Sequence, residues 1–214
     1  MTPTDRLPGH APLPARGEEG SAAHIARVAA RLFATEGYAA TPVRRIVEAA
    51  GVTKPTLYYH FGSKAGLARA LLNDPLDALS ALLRSHLDRG SDPITTLEAM
   101  IESSLAFSRD EPDRARFLYA LFFGPPDAGL AEDVGRMACS LDTLWAELAE
   151  RLVAANIIDA ARVEGFLAMN KGAIVVRTVE YVYRGQELGT DQAGRLVTDL
   201  LDGFGVGPRR GNRS

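Results

Sequence analysis

Apolar residues recur along this chain at the spacing of one helix face. Ile25, Val28, Ala29, Leu32 and Phe33 follow the i, i+3, i+4, i+7, i+8 order, and Leu141, Leu144, Trp145, Leu148 and Leu152 keep close to it. Ala193, Leu196, Val197, Leu200, Leu201 and Phe204 extend the same order toward the C-terminus. No stretch alternates with period two between hairpin turns, so strands are not expected. The pattern predicts an all-α protein.

Helix breakers divide the pattern into about nine helices. The first is expected over 21–36, stopped by Gly37, which suits a left-handed C-terminal position. Thr41 reads as an N-cap with Pro42 at the first helical position, where a missing N–H costs nothing. A short second helix over 42–50 then meets a Gly51-Val52 turn, and Thr53 caps a third helix over 54–61. Gly62-Ser63 leads into a long fourth helix, bent at Pro75 and ending near Gly90. The remaining helices are expected over 93–109, 112–123, 127–155, 159–185 and 190–204, with "GPPDAG" as the clearest loop. The domain reading is a disordered arm over 1–20, a small module over 21–66, a larger helical body over 67–207 and a disordered tail over 208–214.

Charge sharpens this division. The net charge is -3, but residues 21–66 carry six Lys and Arg against two Glu, a local +4, while the rest of the chain is acidic. A basic module on an acidic body suits a polyanionic partner, which the overall balance alone would disfavour. No apolar run is long enough to cross a bilayer, and the N-terminus lacks the apolar core of a signal peptide, so a cytoplasmic protein with no membrane partner is expected. Cys139 is the single cysteine, which rules out an internal disulfide; set among apolar and small residues, it is expected to be a buried, inert thiol. No histidine follows a glutamate by three positions, so the carboxylate-histidine metal sites of helical bundles are not expected, and no phosphate-cradling glycine loop or nucleophile elbow is present. The expectation is a protein without metal or cofactor and without enzymatic activity.

The stretch "GVTKPTLYYHFGSKAGL" at 51–67 holds the most specific chemistry. A helix, a tight glycine turn and a second short helix make a helix-turn-helix pattern, whose second helix enters the DNA major groove. At about 100° per residue, Leu57 and Phe61 share the inward side of that helix while Pro55, Thr56 and Tyr59 face away. Tyr58 and His60 fall on the flanks. The outward face therefore offers hydroxyls, rings and methyl groups to phosphates and base edges, and Lys64 follows as a point charge.

Over a longer span, "AARLFATEGYAATPVRRIVEAAGVTKPTLYYHFGSKAGL" resembles the N-terminal DNA-binding domain of TetR-family transcriptional repressors. The shared features are an alanine-rich helix ending "LF…EGY", a Thr before the second helix, "AAGV" in the turn, "TLYYHF" in the reading helix and a Lys opening the fourth. The resemblance covers roughly residues 22–68. It implies a homodimer that binds an operator in double-stranded DNA and is released by a small-molecule effector. By position it places Arg44, Lys54, Pro55, Thr56 and Tyr58 at bases or nearby phosphates, and Tyr59, His60 and Lys64 at the backbone. Thr41 and Thr53 are implied as phosphate contacts as well as caps.

For the body the resemblance implies only architecture, in which the last two long helices pair with their copies. The sequence agrees with this. Gly165, Met169, Gly172 and Val176 line one narrow face of the 159–185 helix, and Phe166, Asn170, Ile174, Arg177 and Tyr181 line another, so the helix has two sides to bury. Leu196 and Leu200 are assigned with the first face to the dimer interface. Met100, Phe107, Phe117, Phe122, Met137 and Trp145 are candidate lining for an apolar pocket, with Asn170 and Arg177 as its polar members, although these two also suit a structural role. The rival readings are a DNA-binding regulator with no effector and a helical protein-interaction module.

Overall fold

Helices make up the regular structure of the computed structural model, which describes residues 16–90, 92–124 and 130–204. Among these residues the order is α1 (Arg16–Glu36), α2 (Val43–Ala50), α3 (Lys54–Phe61), α4 (Lys64–Asp88), α5 (Pro93–Asp110), α6 (Pro112–Phe123), α7 (Ala131–Ala154), α8 (Val163–Arg184) and α9 (Gln192–Phe204). The all-α expectation holds. One boundary is corrected: α1 begins at Arg16, five residues before the expected start, inside the segment read as a disordered arm. Residues 1–15, the tail from 205 and most of the "GPPDAG" loop lie outside the described residues.

Two apolar cores lie along α4. The first gathers Ile25, Ala29, Leu32 and Phe33 of α1, Ile46 and Val47 of α2, Leu57 of α3, and Leu67, Leu71 and Leu72 of α4. The second begins one turn later at Leu76 and joins Leu79, Leu83 and Leu87 to α5, α7, α8 and α9. Pro75 sits between them inside the helix, where it has no N–H to offer the preceding turn. Thus α4 is an unbroken helix shared by both cores. Phe117 of α6 reaches into the first core, its ring 5.0 Å from that of Phe33, so α6 also joins the body to the small module.

Polar contacts fasten α4 to α7 at both ends. Arg69 donates to Asp133 at 2.9 Å, and Arg136 donates to the same buried carboxylate at 2.6 Å. These partners, Arg69 first, hold Asp133 below the usual carboxylate range. Near the other end Arg84 and Arg151 both bind Glu147, and Arg151 also caps the Leu87 carbonyl at 2.6 Å.

The α8 region departs from a single helix over 159–185. A 3-10 turn at Ala160–Arg162 comes first, capped by the Asp159 carboxylate accepting from the Ala161 N–H at 2.9 Å. Cys139 is exposed on α7, which corrects the buried position expected for it. An apolar sequence neighbourhood did not decide its face.

Candidate nucleic-acid interface and cavity

The turn between α2 and α3 is built as its residues dictate. Gly51 takes φ 64°, a left-handed conformation that favours glycine, and its N–H closes α2 on the Glu48 carbonyl. Thr53 caps α3 by accepting from the Thr56 N–H at 3.3 Å, and the two threonine hydroxyls bond each other at 2.8 Å. Leu57 is fully buried and anchors α3 from within. With that side fixed, the short helix must turn its other residues outward. Tyr59 is 71% exposed and Tyr58 45% exposed, and Lys54 and Pro55 are exposed beside them. Thr56, His60 and Phe61 are half-buried at the margins.

Neighbouring elements complete this surface. Arg44 is exposed on α2 and bound to Glu48 at 2.6 Å, while Arg45 binds Glu36 of α1. Lys64 places its ammonium 4.3 Å from the centre of the Tyr38 ring. Ser63 caps α4 by accepting from the Gly66 N–H at 2.9 Å. A Cβ at Gly66 would fall 2.0 Å from the Phe61 carbonyl oxygen, so this tight α3-to-α4 passage requires glycine. Neither Ser63 nor Gly66 was singled out as necessary from sequence, although a serine before a helix is a capping signal.

Thr41 is corrected. It is fully buried, Pro42 occupies the N-cap position without a side-chain cap bond, and the Thr41 hydroxyl donates to the Gly37 carbonyl at 2.7 Å. Its oxygen closes the loop after α1 instead of meeting solvent. The other nine predicted contact residues lie on α2, α3, the Thr53 cap and the start of α4, with none fully buried.

The body contains a cavity of about 160 Å³. It lies among α4, α5, α6, α7 and α8, and Phe107, Phe122, Met137 and Trp145 line it as expected. The other pocket assignments do not survive. Met100 is buried in the second core, and Phe117 is spent against Phe33 in the first. Arg177 faces solvent and pairs with Glu180 at 3.2 Å. Asn170 is buried on α8 outside the lining, with its side-chain oxygen lacking a partner. Sequence reasoning missed Ser108 and Tyr119, which line the cavity, and Thr178 behind them: Ser108 and Thr178 share a buried hydrogen bond at 3.1 Å, although 70 positions separate them.

One face of α8 remains uncovered. Gly165, Met169, Gly172 and Val176 recur along it and are all exposed, Met169 by 57% and Val176 by 54%. Leu196 and Leu200 do not join that face. Both are buried in the protomer's own second core, because α9 packs its apolar side onto α5 and α8.

The arrangement is that of a helix-turn-helix protein whose reading helix is carried on a larger helical body. Residues 25–71 match the family described as "Bacterial regulatory proteins, tetR family". The chain is 39% identical over 88 residues to the HTH-type transcriptional repressor KstR2 of Rhodococcus jostii (strain RHA1), covering 41% of this chain and 43% of that protein. It is 27% identical over 172 residues to the HTH-type transcriptional activator FasR of Mycolicibacterium smegmatis (strain ATCC 700084 / mc(2)155), covering 73% and 78%. The solved structure of the ketosteroid transcriptional regulator KstR2 of Mycobacterium tuberculosis has a TM-score of 0.71 and 20% identity, over 86% of this chain and 94% of that one. At that identity the structural likeness shows the fold. The chain spans less than half the length of the KstR2 proteins it matches in sequence.

The family match therefore covers the helix-turn-helix segment, residues 25–71. The relatives that the chain matches in sequence are named as transcriptional regulators.

Proposed function

We propose that the protein is a ligand-responsive transcriptional repressor that binds a two-fold symmetric operator as a homodimer and leaves it when a small apolar effector enters the body. The single observation that supports DNA reading best is the outward face of α3, where Tyr58 and Tyr59 stand in solvent while Leu57 and the Thr53 cap hold the helix. Tyrosine hydroxyls there bond phosphates and base edges, and Lys54, Lys64 and Arg44 supply charge. The small +4 module approaches DNA, and the acidic body stays away from it. Such a protein works in the cytoplasm, beside the chromosome.

The α8 stripe is the proposed dimer face. Small residues at Gly165 and Gly172 let a second copy approach closely, and Met169 and Val176 give it apolar area to bury. Release follows from how the cavity sits on α4. Leu76 and Leu79 line it directly after Pro75, and Leu67 to Leu72 of the same helix belong to the core that carries α3. A ligand shifts this equilibrium only by preferring the conformation in which the two reading helices no longer fit their half-sites. Repression is the activity named for KstR2 of Rhodococcus jostii, to which the chain is 39% identical over 88 residues.

The test uses a duplex selected by the protein from a random pool. Tyr58→Phe combined with Lys64→Ala is expected to weaken binding to that duplex about tenfold or more, two lost contacts each being worth on the order of 1 kcal/mol, with far-ultraviolet circular dichroism unchanged. Unaltered affinity in the folded double variant would remove α3 and the start of α4 from the interface.

A further inference from the structure

We propose that the body cavity takes an uncharged molecule about the size of one six-membered ring, carrying a carbonyl or hydroxyl oxygen that is held by the Ser108 and Tyr119 hydroxyls, with Thr178 bonded to Ser108 behind them. The assignment rests on reading this cavity as the effector site and names the chemistry of what enters it. Its free volume of about 160 Å³ sets the size. An apolar protein cavity of about 150 Å³ holds one benzene ring.

The lining sets the apolar character, with Leu76, Leu118, Met137 and Trp145 among its walls. The hydroxyls set the polar contact. Ser108 and Thr178 are 2% and 0% exposed and bond each other at 3.1 Å, and Tyr119 lines the cavity with Ser108. Ser108 and Thr178 carry two donor hydrogens, and the bond between them uses one. Whichever of the two donates, one hydrogen is left without an acceptor inside the pair, at a site where an unmade bond is costly. Ser104, the remaining lining hydroxyl, already donates to the Met100 carbonyl at 2.9 Å. Burial pushes the Tyr119 phenol above its ordinary range, so it stays protonated and able to donate near neutral pH. A ligand oxygen that accepts this hydrogen completes the cluster.

Charge is excluded by what stands at the exposed end of the lining. Lys171 is the only cation among the described lining residues, and its ammonium binds Asp142 at 2.6 Å. An anionic ligand would have to displace that carboxylate and lose its own hydration, whereas a neutral oxygen needs neither.

The test titrates cyclohexanone, methylenecyclohexane and cyclohexanecarboxylate into the full chain without DNA. Trp145, the single tryptophan, lines the cavity and reports binding by its fluorescence. Cyclohexanone and methylenecyclohexane have nearly the same shape and differ in the oxygen. Joint replacement Ser108→Ala, Thr178→Val and Tyr119→Phe should lower cyclohexanone affinity about tenfold, the worth of one lost hydrogen bond, and leave methylenecyclohexane within about twofold. A measurement on the unaltered protein backs this up: the infrared C=O stretch of bound cyclohexanone should lie below its position in hexane. Failure of cyclohexanone to bind, equal changes for both ligands, an unshifted stretch, or tighter binding of the carboxylate overturns the proposal. Operator affinity measured in parallel keeps the two readings apart, since cyclohexanone bound with no effect on operator affinity refutes the regulatory role of the cavity and supports its ligand chemistry.

Discussion

Replacing Lys54 by glutamine isolates one phosphate contact in each reading helix. Lys54 opens α3, is exposed, and has no acidic partner among the described residues, so its ammonium is free to meet a phosphate. Glutamine has nearly the same helix propensity, and the Thr53 cap with its Thr56 bonds is untouched, so the fold should be unchanged. A dimer carries two copies of the contact. Each phosphate neutralised on duplex DNA contributes about -0.9 to the slope of log affinity against log salt, so the variant's slope should be shallower by about 1.8. Across a fourfold rise, from about 50 to 200 mM salt, the wild-type advantage should therefore shrink about twelvefold. Fluorescence anisotropy with the selected duplex measures both slopes. An affinity loss of the same size at every salt concentration, or an unchanged slope, would show that Lys54 does not neutralise a phosphate and would refute the placement of the α3 N-terminus against the backbone.

Other substitutions probe the remaining parts of the structure. Val176→Arg, on the exposed α8 stripe, should give folded monomers in sedimentation, whereas Leu200→Arg buries an unpaired charge in the protomer's own core and should cost about 3–5 kcal/mol of stability; a folded dimer from Val176→Arg would place the interface elsewhere. Gly66→Ala drives a Cβ into the Phe61 carbonyl and should destabilise the N-terminal module by roughly 1–3 kcal/mol, read as a lower melting temperature. Asp133 has a folded pKa below its ordinary 3.8, so its bonds to Arg69 and Arg136 stabilise the protein above that pH and are lost as pH falls through the lowered value. Acid unfolding monitored by circular dichroism should therefore be less steep below about pH 4 in Asp133→Asn, and an identical acid limb would deny Asp133 that part.

The local elements were legible because their causes are local. Gly37 and Gly51 both take positive φ where a helix stops, Thr53 caps the third helix, and the period of Ile25, Val28, Ala29, Leu32 and Phe33 marks a buried face. The outward turn of Tyr59 followed from Leu57 by helix geometry alone. The resemblance then pointed to DNA, because its motif lies within one short continuous segment. Only packing decided the rest. Helical period shows that Leu196 and Leu200 share an apolar face, but a second copy and the protomer's own α5 present the same kind of surface to that face. Met100, Phe107, Phe117 and Phe122 are alike in composition, yet only Phe107 and Phe122 line the cavity, because Phe117 is turned toward Phe33 and Met100 into the second core. Thr41 looked like a cap and is instead a buried donor to Gly37, a choice made by how the loop closes. The Ser108–Thr178 bond joins α5 to α8, and no one-dimensional period encodes a contact between residues so far apart. Periodicity fixes which side of a helix is apolar, while the free energy of burying that side is satisfied by whichever surface the folded chain brings against it.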